Sequence, residues 1–323
     1  VQLFWVHRQV SKPAIAQERM SGYIQRHICD PANSRGHHMY RHAYFDLLLH
    51  TDDELEALLQ IPIVERATLH EWPLSCVQSL TTGDGRRLVY KTQYGPFVEA
   101  EFYAKARSEL LVSARTMHQS DGYVVMLIEY VAAPTLADRV LGEQATVNIG
   151  RDILDRIAAI EGELPVFLDV GTEEKWLTQI DTTLRNLSRL VSTGQFSIVD
   201  TPVIRHLEQW AASKVVRSAL RIRPGYVHGD LGADNVFLLS DEFRVIDWQK
   251  TKKGPTGLDL ATLLESKAIE PLGYVDRGVV WIMYLLRIRW LTECAVRWFP
   301  AGIGTYDASI AQLADKIGQA QTS

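Results

Sequence analysis

Cysteine is scarce in this chain: three residues, Cys29, Cys76 and Cys294, stand far apart with no C-x-x-C pair. That spacing argues against a disulfide framework and against a zinc cage, and it suits a reducing cytoplasm. Long runs of positive charge are missing too. No stretch holds five successive basic residues, and the formal net charge is -5 at pH 7. A nucleic-acid footprint is therefore not expected. Long apolar runs are missing as well. The longest, from Gly278 to Leu286, ends at Arg287 and Arg289. It is too short to span a bilayer and reads as a buried helix, so no membrane association is expected. The first residues, Val-Gln-Leu-Phe-Trp-Val-His-Arg, carry no basic region ahead of their apolar ones. They do not read as a secretion signal.

What is present has the texture of a folded enzyme. Hydrophobic residues make up 46% and charged residues 23%, ordinary values for a globular chain. A length of 323 residues exceeds what one core usually needs, so two lobes are expected. Residues 1–57 read as helices and loops. Within them Thr51-Asp52-Asp53-Glu54-Leu55 has the form of a helix start, a threonine cap followed by acids. Beyond residue 61 short apolar runs alternate with turn residues, which predicts strands over 63–69, 76–80 and 86–92. A helix begins near Pro96, and another strand covers 123–130. Past Ala133-Pro134 the pattern is helical, interrupted near 226–247. The expectation is an α+β fold: an extension over 1–57, a strand-rich lobe over 58–131 and a helical lobe over 132–323.

The densest chemistry lies in the interruption, which runs Val227-His228-Gly229-Asp230-Leu231-Gly232-Ala233-Asp234-Asn235 and continues to Val245-Ile246-Asp247-Trp248. The apolar runs 236–239 and 243–246 flank Ser240-Asp241-Glu242 and predict a β-hairpin. Asn235 and Asp247 lie equally far from a turn centred on Asp241, so pairing brings them side by side at the open end. Asp230 precedes Asn235 by five residues, in the loop entering the hairpin. Two carboxylates and an amide then converge, which is the small set of hard oxygen donors that a magnesium–phosphate site needs.

This His-Gly-Asp-x-x-x-x-Asn segment followed by Ile-Asp-Trp resembles the catalytic segment of the aminoglycoside phosphotransferase family. That family shares the two-lobed protein-kinase fold and includes choline, homoserine and fructosamine kinases. The resemblance implies a kinase that moves the γ-phosphoryl group of ATP or GTP, held with Mg2+, to a hydroxyl of a small molecule. It implies that Asp230 is the catalytic base, Asn235 a magnesium ligand and Asp247 the ligand joining metal to phosphates. Lys91, on the third predicted strand, corresponds to the lysine that grips the phosphates; read alone, it is as well explained as a solvated edge residue. Its helix partner is expected to be Glu99, which shares a face with Phe102, Tyr103 and Ala106. Glu101 lines up with Lys105 and Glu109 on the solvent face.

Other residues follow from the same resemblance. Residues 124–131 resemble the hinge between kinase lobes, with Ile128 behind the base and the backbone of Glu129 and Val131 at the purine edge. An ordinary buried strand explains them equally well. The turn His70-Glu71-Trp72-Pro73-Leu74-Ser75 has no glycine, a departure from the Gly-rich loop of protein kinases. Ser75 is the candidate phosphate contact there, against a stiff loop made by Trp72 and Pro73. His228 is expected to brace the catalytic loop, and Asp259 to anchor it from a helix start. Histidines 37, 38, 42 and 50 lack the H-E-x-x-H pattern and are not read as a zinc site. Two alternatives stay open. A protein kinase is disfavoured by His-Gly-Asp, by Asp-Trp and by the lack of Ala-Pro-Glu. A silent kinase-fold binding protein is disfavoured by the presence of Lys91, Asp230, Asn235 and Asp247 together.

Overall fold

The computed structural model describes residues 39–322 apart from residues 223 and 241. Expectations for Cys29, His37, His38 and the rest of residues 1–38 lie outside the described residues. The chain divides into two units. The smaller takes the described residues up to Ala100 and adds Ser113–Tyr130, and the larger takes Glu101–Val112 and Val131–Ser323.

In the smaller unit, β1 (Met39–Arg41) and β2 (Leu48–His50) form an antiparallel pair. Helix α1 (Asp52–Leu59) follows, and its start is a capping box. The Thr51 hydroxyl accepts from the Glu54 N–H at 3.3 Å, and the Glu54 carboxylate accepts from the Thr51 N–H at 2.9 Å, so two otherwise orphaned amides are satisfied. Next come β3 (Ile63–Trp72), β4 (Ser75–Thr82), β5 (Arg87–Tyr94), the start of helix α2 (Glu99–Lys105), β6 (Ala114–Ser120) and β7 (Tyr123–Glu129). The strands make one antiparallel sheet in the order β3-β4-β5-β7-β6.

Leu47, Leu49 and Leu55 pack with Cys76, Leu80, Tyr90, Val125 and Leu127 in the core of this unit. Residues up to 57 were expected as a separate extension of helices and loops. The described part of that stretch instead contributes two strands and three core leucines. Strands of three residues carry no readable period, which is why the pattern concealed them. The same holds for β6, an edge strand of polar composition, Ala-Arg-Thr-Met-His-Gln-Ser.

The larger unit is helical, with small sheets inset. It contains α3 (Glu143–Ala158), β8 (Leu168–Asp169), α4 (Glu173–Ser192), α5 (Thr201–Ala211), α6 (Lys214–Ala219), β9 (Pro224–Val227), β10 (Val236–Leu238), β11 (Phe243–Val245), β12 (Lys252–Pro255), α7 (Gly257–Ser266), α8 (Arg277–Glu293) and α9 (Ile303–Thr322). Thr172, Asp200, Ser213 and Asp276 cap α4, α5, α6 and α8 by accepting first-turn amides, which fixes where each helix begins. Helix α8 is buried on almost every face. No helix among the described residues is long and apolar enough to cross a membrane.

Two small sheets position the chemistry. In the order β8-β12-β9, Lys252 of β12 lies opposite Leu168 on one side and Val227 on the other. In the β10–β11 hairpin, Val236 pairs with Val245 and Leu238 with Phe243. The Ile246 N–H donates to the Asn235 carbonyl at 3.0 Å, and the Leu239 N–H to the Glu242 carbonyl at 3.0 Å. Asn235 is thus level with Ile246, one residue short of the expected Asp247. The reason is turn length. A two-residue turn centres the hairpin between residues 240 and 241, whereas a three-residue turn would centre it on 241.

Candidate active site

Within the smaller unit, the β5 register sets Lys91 opposite Val77 and Met126. Its side chain is buried, 5% exposed, and its ammonium lies 2.6 Å from the Glu99 carboxylate. Glu99 is 1% exposed and also accepts from the Gln93 amide at 2.7 Å. A buried charge pair persists when further hydrogen bonds satisfy it, and Gln93, two residues along the same face of β5, supplies one. Glu101 faces the other way and pairs with Lys105 at 2.8 Å on the surface. Gln93 was missed in the sequence, although the i,i+2 rule places it beside Lys91.

Ser75 lies inside its turn. It is 2% exposed, and its hydroxyl accepts from the Trp72 indole at 2.7 Å. This geometry gives Ser75 a structural part and does not favour the expected phosphate contact. Ile128 is buried in β7 opposite Val89 and Ala114. Glu129 exchanges bonds with Ser113, its N–H donating to the carbonyl at 2.8 Å and its carboxylate accepting from the N–H at 3.0 Å. Val131 is where the chain passes into the larger unit. His42 sits 3.2 Å from Glu71, and His50 is buried beside the Tyr90 hydroxyl at 3.1 Å.

Within the larger unit, strand β9 leads straight into His228-Gly229-Asp230. The loop is pinned from below by Asp259 at the start of α7, whose carboxylate accepts from the N–H groups of His228 at 2.7 Å and Gly229 at 2.8 Å. Burial raises the pKa of Asp259 against the pull of His228 and those two amides. His228 has both ring nitrogens engaged. Its Nδ1 accepts from the Asp230 N–H at 3.2 Å, so Nε2 carries the proton and donates to the Ile246 carbonyl at 2.9 Å. That arrangement ties the loop to the hairpin and leaves His228 no nitrogen with which to act as a base.

Asp230 presents its carboxylate at the edge of this loop, 34% exposed and 3.1 Å from the Lys250 ammonium. Burial opposes ionisation, but Lys250, and after it Lys252, outweigh burial and hold Asp230 below the usual carboxylate range. The Asp230 carbonyl accepts from the Asn235 amide nitrogen at 3.0 Å, which turns the Asn235 oxygen away as a possible metal donor. Asp247 adopts a left-handed backbone, φ 69 and ψ 47, and its carboxylate accepts from the Gln249 amide at 3.0 Å. A non-glycine residue in that region carries a cost of roughly 1–2 kcal/mol, and such outliers concentrate at functional sites.

The donor set suits magnesium. One amide oxygen and one carboxylate are hard ligands, and magnesium usually takes few protein ligands and completes its shell with phosphate and water. Among the described residues, no three His, Cys, Asp or Glu side chains gather as a metal cage. A cation here would therefore depend on the phosphates of a nucleotide.

Asp230 opens onto a pocket of the larger unit that is continuous with solvent. One wall is helix α8, which presents Met283, Leu286, Arg287 and Trp290 at i, i+3, i+4 and i+7. Arg289 comes from the same helix, Lys250 from just before β12 and Lys252 from its first position, and Phe167 from just before β8 and Leu168 from its first position. In the sequence Arg287 and Arg289 stand at the end of an apolar run, and Lys250 and Lys252 lie outside the catalytic motif. The local signal of this wall is the basic run Lys250-Thr251-Lys252-Lys253, one residue beyond the Asp-Trp motif.

The sequence model of the phosphotransferase enzyme family matches residues 98–285, more than half of the chain. No curated protein matches it. Among solved structures, it is similar to a thermostable mutant of the aminoglycoside phosphotransferase APH(4)-Ia, solved with ADP and hygromycin B. There the TM-score is 0.55 at 16% identity, over 84% of this chain and 99% of that one. A spectinomycin phosphotransferase with ADP and spectinomycin gives 0.52 at 11% identity, over 83% and 99%. A putative fructosamine-3-kinase from Thermobifida fusca YX-ER1 gives 0.50 at 17% identity, over 82% and 98%. At such identities the likeness establishes a common kinase-like fold.

Proposed function

The chain belongs to the phosphotransferase enzyme family, and we propose that it transfers the γ-phosphoryl group of ATP or GTP to a hydroxyl of a small molecule. The observation that carries this reading is the Asp230 carboxylate, kept ionised by Lys250 at the mouth of a solvent-connected pocket walled by helix α8.

In this reading the acceptor binds with its hydroxyl against Asp230. The acceptor oxygen bonds to the γ-phosphorus as the bond from that phosphorus to the β–γ bridging oxygen breaks. The nucleoside diphosphate leaves, and the hydroxyl proton passes to Asp230. A base of depressed pKa is a weak proton acceptor, but phosphoryl transfer asks mainly for orientation, and an ionised carboxylate aims the hydroxyl well. Lys91 grips the phosphates, with Glu99 and Gln93 fixing its position. Ile128 backs the base, and the backbone of Glu129 and Val131 takes its edge. Asn235 and Asp247 would hold magnesium, whose chemistry is to neutralise phosphate charge. His228 and Asp259 position the loop without touching substrate.

Asp230→Asn keeps the shape and removes the charge. Phosphoryl transfer should fall about 10²–10⁴-fold, with nucleotide affinity by titration close to wild type. Undiminished turnover would show that Asp230 is not the base.

A further inference from the structure

The charge around the acceptor pocket runs against the charge of the chain. Lys250, Lys252, Arg287 and Arg289 line the pocket, and Asp230 is the one carboxylate among its lining residues. Immediately behind, Glu265 serves both Arg287 and Lys316, the latter at 2.6 Å, and Glu293 lies 3.1 Å from Arg289. Five cations thus face three carboxylates. Adding Asp259, already committed to two loop amides, still leaves one positive charge in excess. The whole chain is net -5, so this pocket is a positive island in a negative protein.

Lys252 is the most telling of the four. It is 8% exposed, and its ammonium donates to the Gly229 carbonyl, a neutral partner. Among the described residues it forms no ion pair. Burial lowers its pKa to about 8, with Asp230 pulling the other way. A buried ammonium with no carboxylate in direct contact is costly, and among the described residues the Gly229 carbonyl is the hydrogen-bond acceptor it is given.

We infer that the acceptor is an anion, a hydroxylated molecule carrying a carboxylate or phosphate that seats on Lys252 and the α8 arginines while its hydroxyl meets Asp230. This deepens the proposed function and rests on it. An excess of fixed positive charge in a low-dielectric pocket attracts an oxyanion and rejects a polycationic acceptor by the same interaction. Phe167, Leu286 and Trp290 supply apolar wall for the remainder of the molecule. The bonds formed and broken are those given above, and the acid group of the acceptor takes no part in them.

Four probes on one skeleton separate the charges: glucuronate and glucose 6-phosphate as anions, glucose as the neutral form and glucosamine as the cation. Thermal-shift titrations on the full chain should give half-saturation at least about tenfold lower for an anionic probe than for glucose or glucosamine. Lys252→Met should abolish that preference while the variant melts at or above the wild-type temperature, because a buried charge has been replaced by an apolar chain of similar length. A purely structural lysine would lower the melting temperature and leave the preference intact. Lys91→Met should keep the preference, which separates the pocket from the nucleotide phosphate grip. With an acidic acceptor that turns over, Lys252→Met should raise KM more than it lowers kcat. Equal or better binding of glucosamine, an undiminished preference in Lys252→Met, or no response to either anion would each overturn the inference. So would phosphorylation of aminoglycosides with none of any hydroxy acid, which leaves phosphoryl transfer itself standing. Failure of that wider reading has a separate sign: turnover indifferent to Asp230→Asn.

Discussion

Asp230 depends on Lys250 for its ionisation. Burial alone would push the carboxylate up, and the ammonium 3.1 Å away reverses this. A base of depressed pKa remains competent as pH falls until that pKa is reached. Lys250→Met removes the nearest cation and leaves the burial, so the pKa rises and competence is lost at higher pH on acidification. The acid limb of the pH profile of kcat/KM should therefore move upward in the variant. Coincident acid limbs would mean that Lys250 does not set the charge of Asp230. Helical phase separated Glu99 from Glu101 in the sequence because the two lie about 200° apart around an α-helix. It could not foresee Gln93, whose contact depends on tertiary approach, nor the engagement of Ser75 by Trp72, which depends on how one turn closes.

The loop between β9 and the hairpin has one position that accepts no side chain. Gly229 has φ +83, and a Cβ there would meet the Lys250 carbonyl and the Lys252 ammonium. This is a physical reason for His-Gly-Asp in this chain where protein kinases carry a larger residue. Gly229→Ala should cost about 2 kcal/mol or more, combining the left-handed penalty with a backbone clash, and it should displace Asp230. Denaturant melts and turnover together test this; wild-type stability in the variant would mean that the close approach is relaxed at little cost. At this scale the sequence was legible wherever pattern and length agreed. The apolar runs on either side of residues 240–242 specified the hairpin, and only the turn centre was misplaced by half a residue. The pocket was illegible because its wall is assembled from β8, β12, α7 and α8, and no linear window contains it. The basic run after Asp-Trp was a local trace of that wall.

Across the whole chain, burial sets opposing trends in stability with pH on the alkaline side. Tyr90 in the smaller unit and Tyr226, Tyr284 and Tyr306 in the larger all have pKa values raised chiefly by burial. An unfolded tyrosine loses its proton near pH ~10, before these folded ones do. Above that pH the unfolded state binds fewer protons, and stability falls. Lys252 works in the opposite sense. Its folded pKa of about 8 lies below the unfolded lysine value of ~10.4. Between those two values the unfolded state binds more protons, and stability rises with pH. The buried thiols Cys76 and Cys294, whose pKa values burial raises to about 11 and about 12, add a loss that begins near the unfolded thiol value of ~8.5. The lysine's contribution is therefore read as a difference. In denaturant melts from pH 7 to 11, wild type minus Lys252→Met should become more favourable to the wild type between about pH 8 and pH 10. The loss carried by the buried thiols and tyrosines should persist in Lys252→Met, and the part of the tyrosinate absorbance that comes from the buried tyrosines should appear together with unfolding. If wild type and variant instead follow the same curve across pH 8–10, the buried ammonium carries no such penalty. The energetic part of the case for an anion-binding pocket would then be lost, leaving only its geometric part.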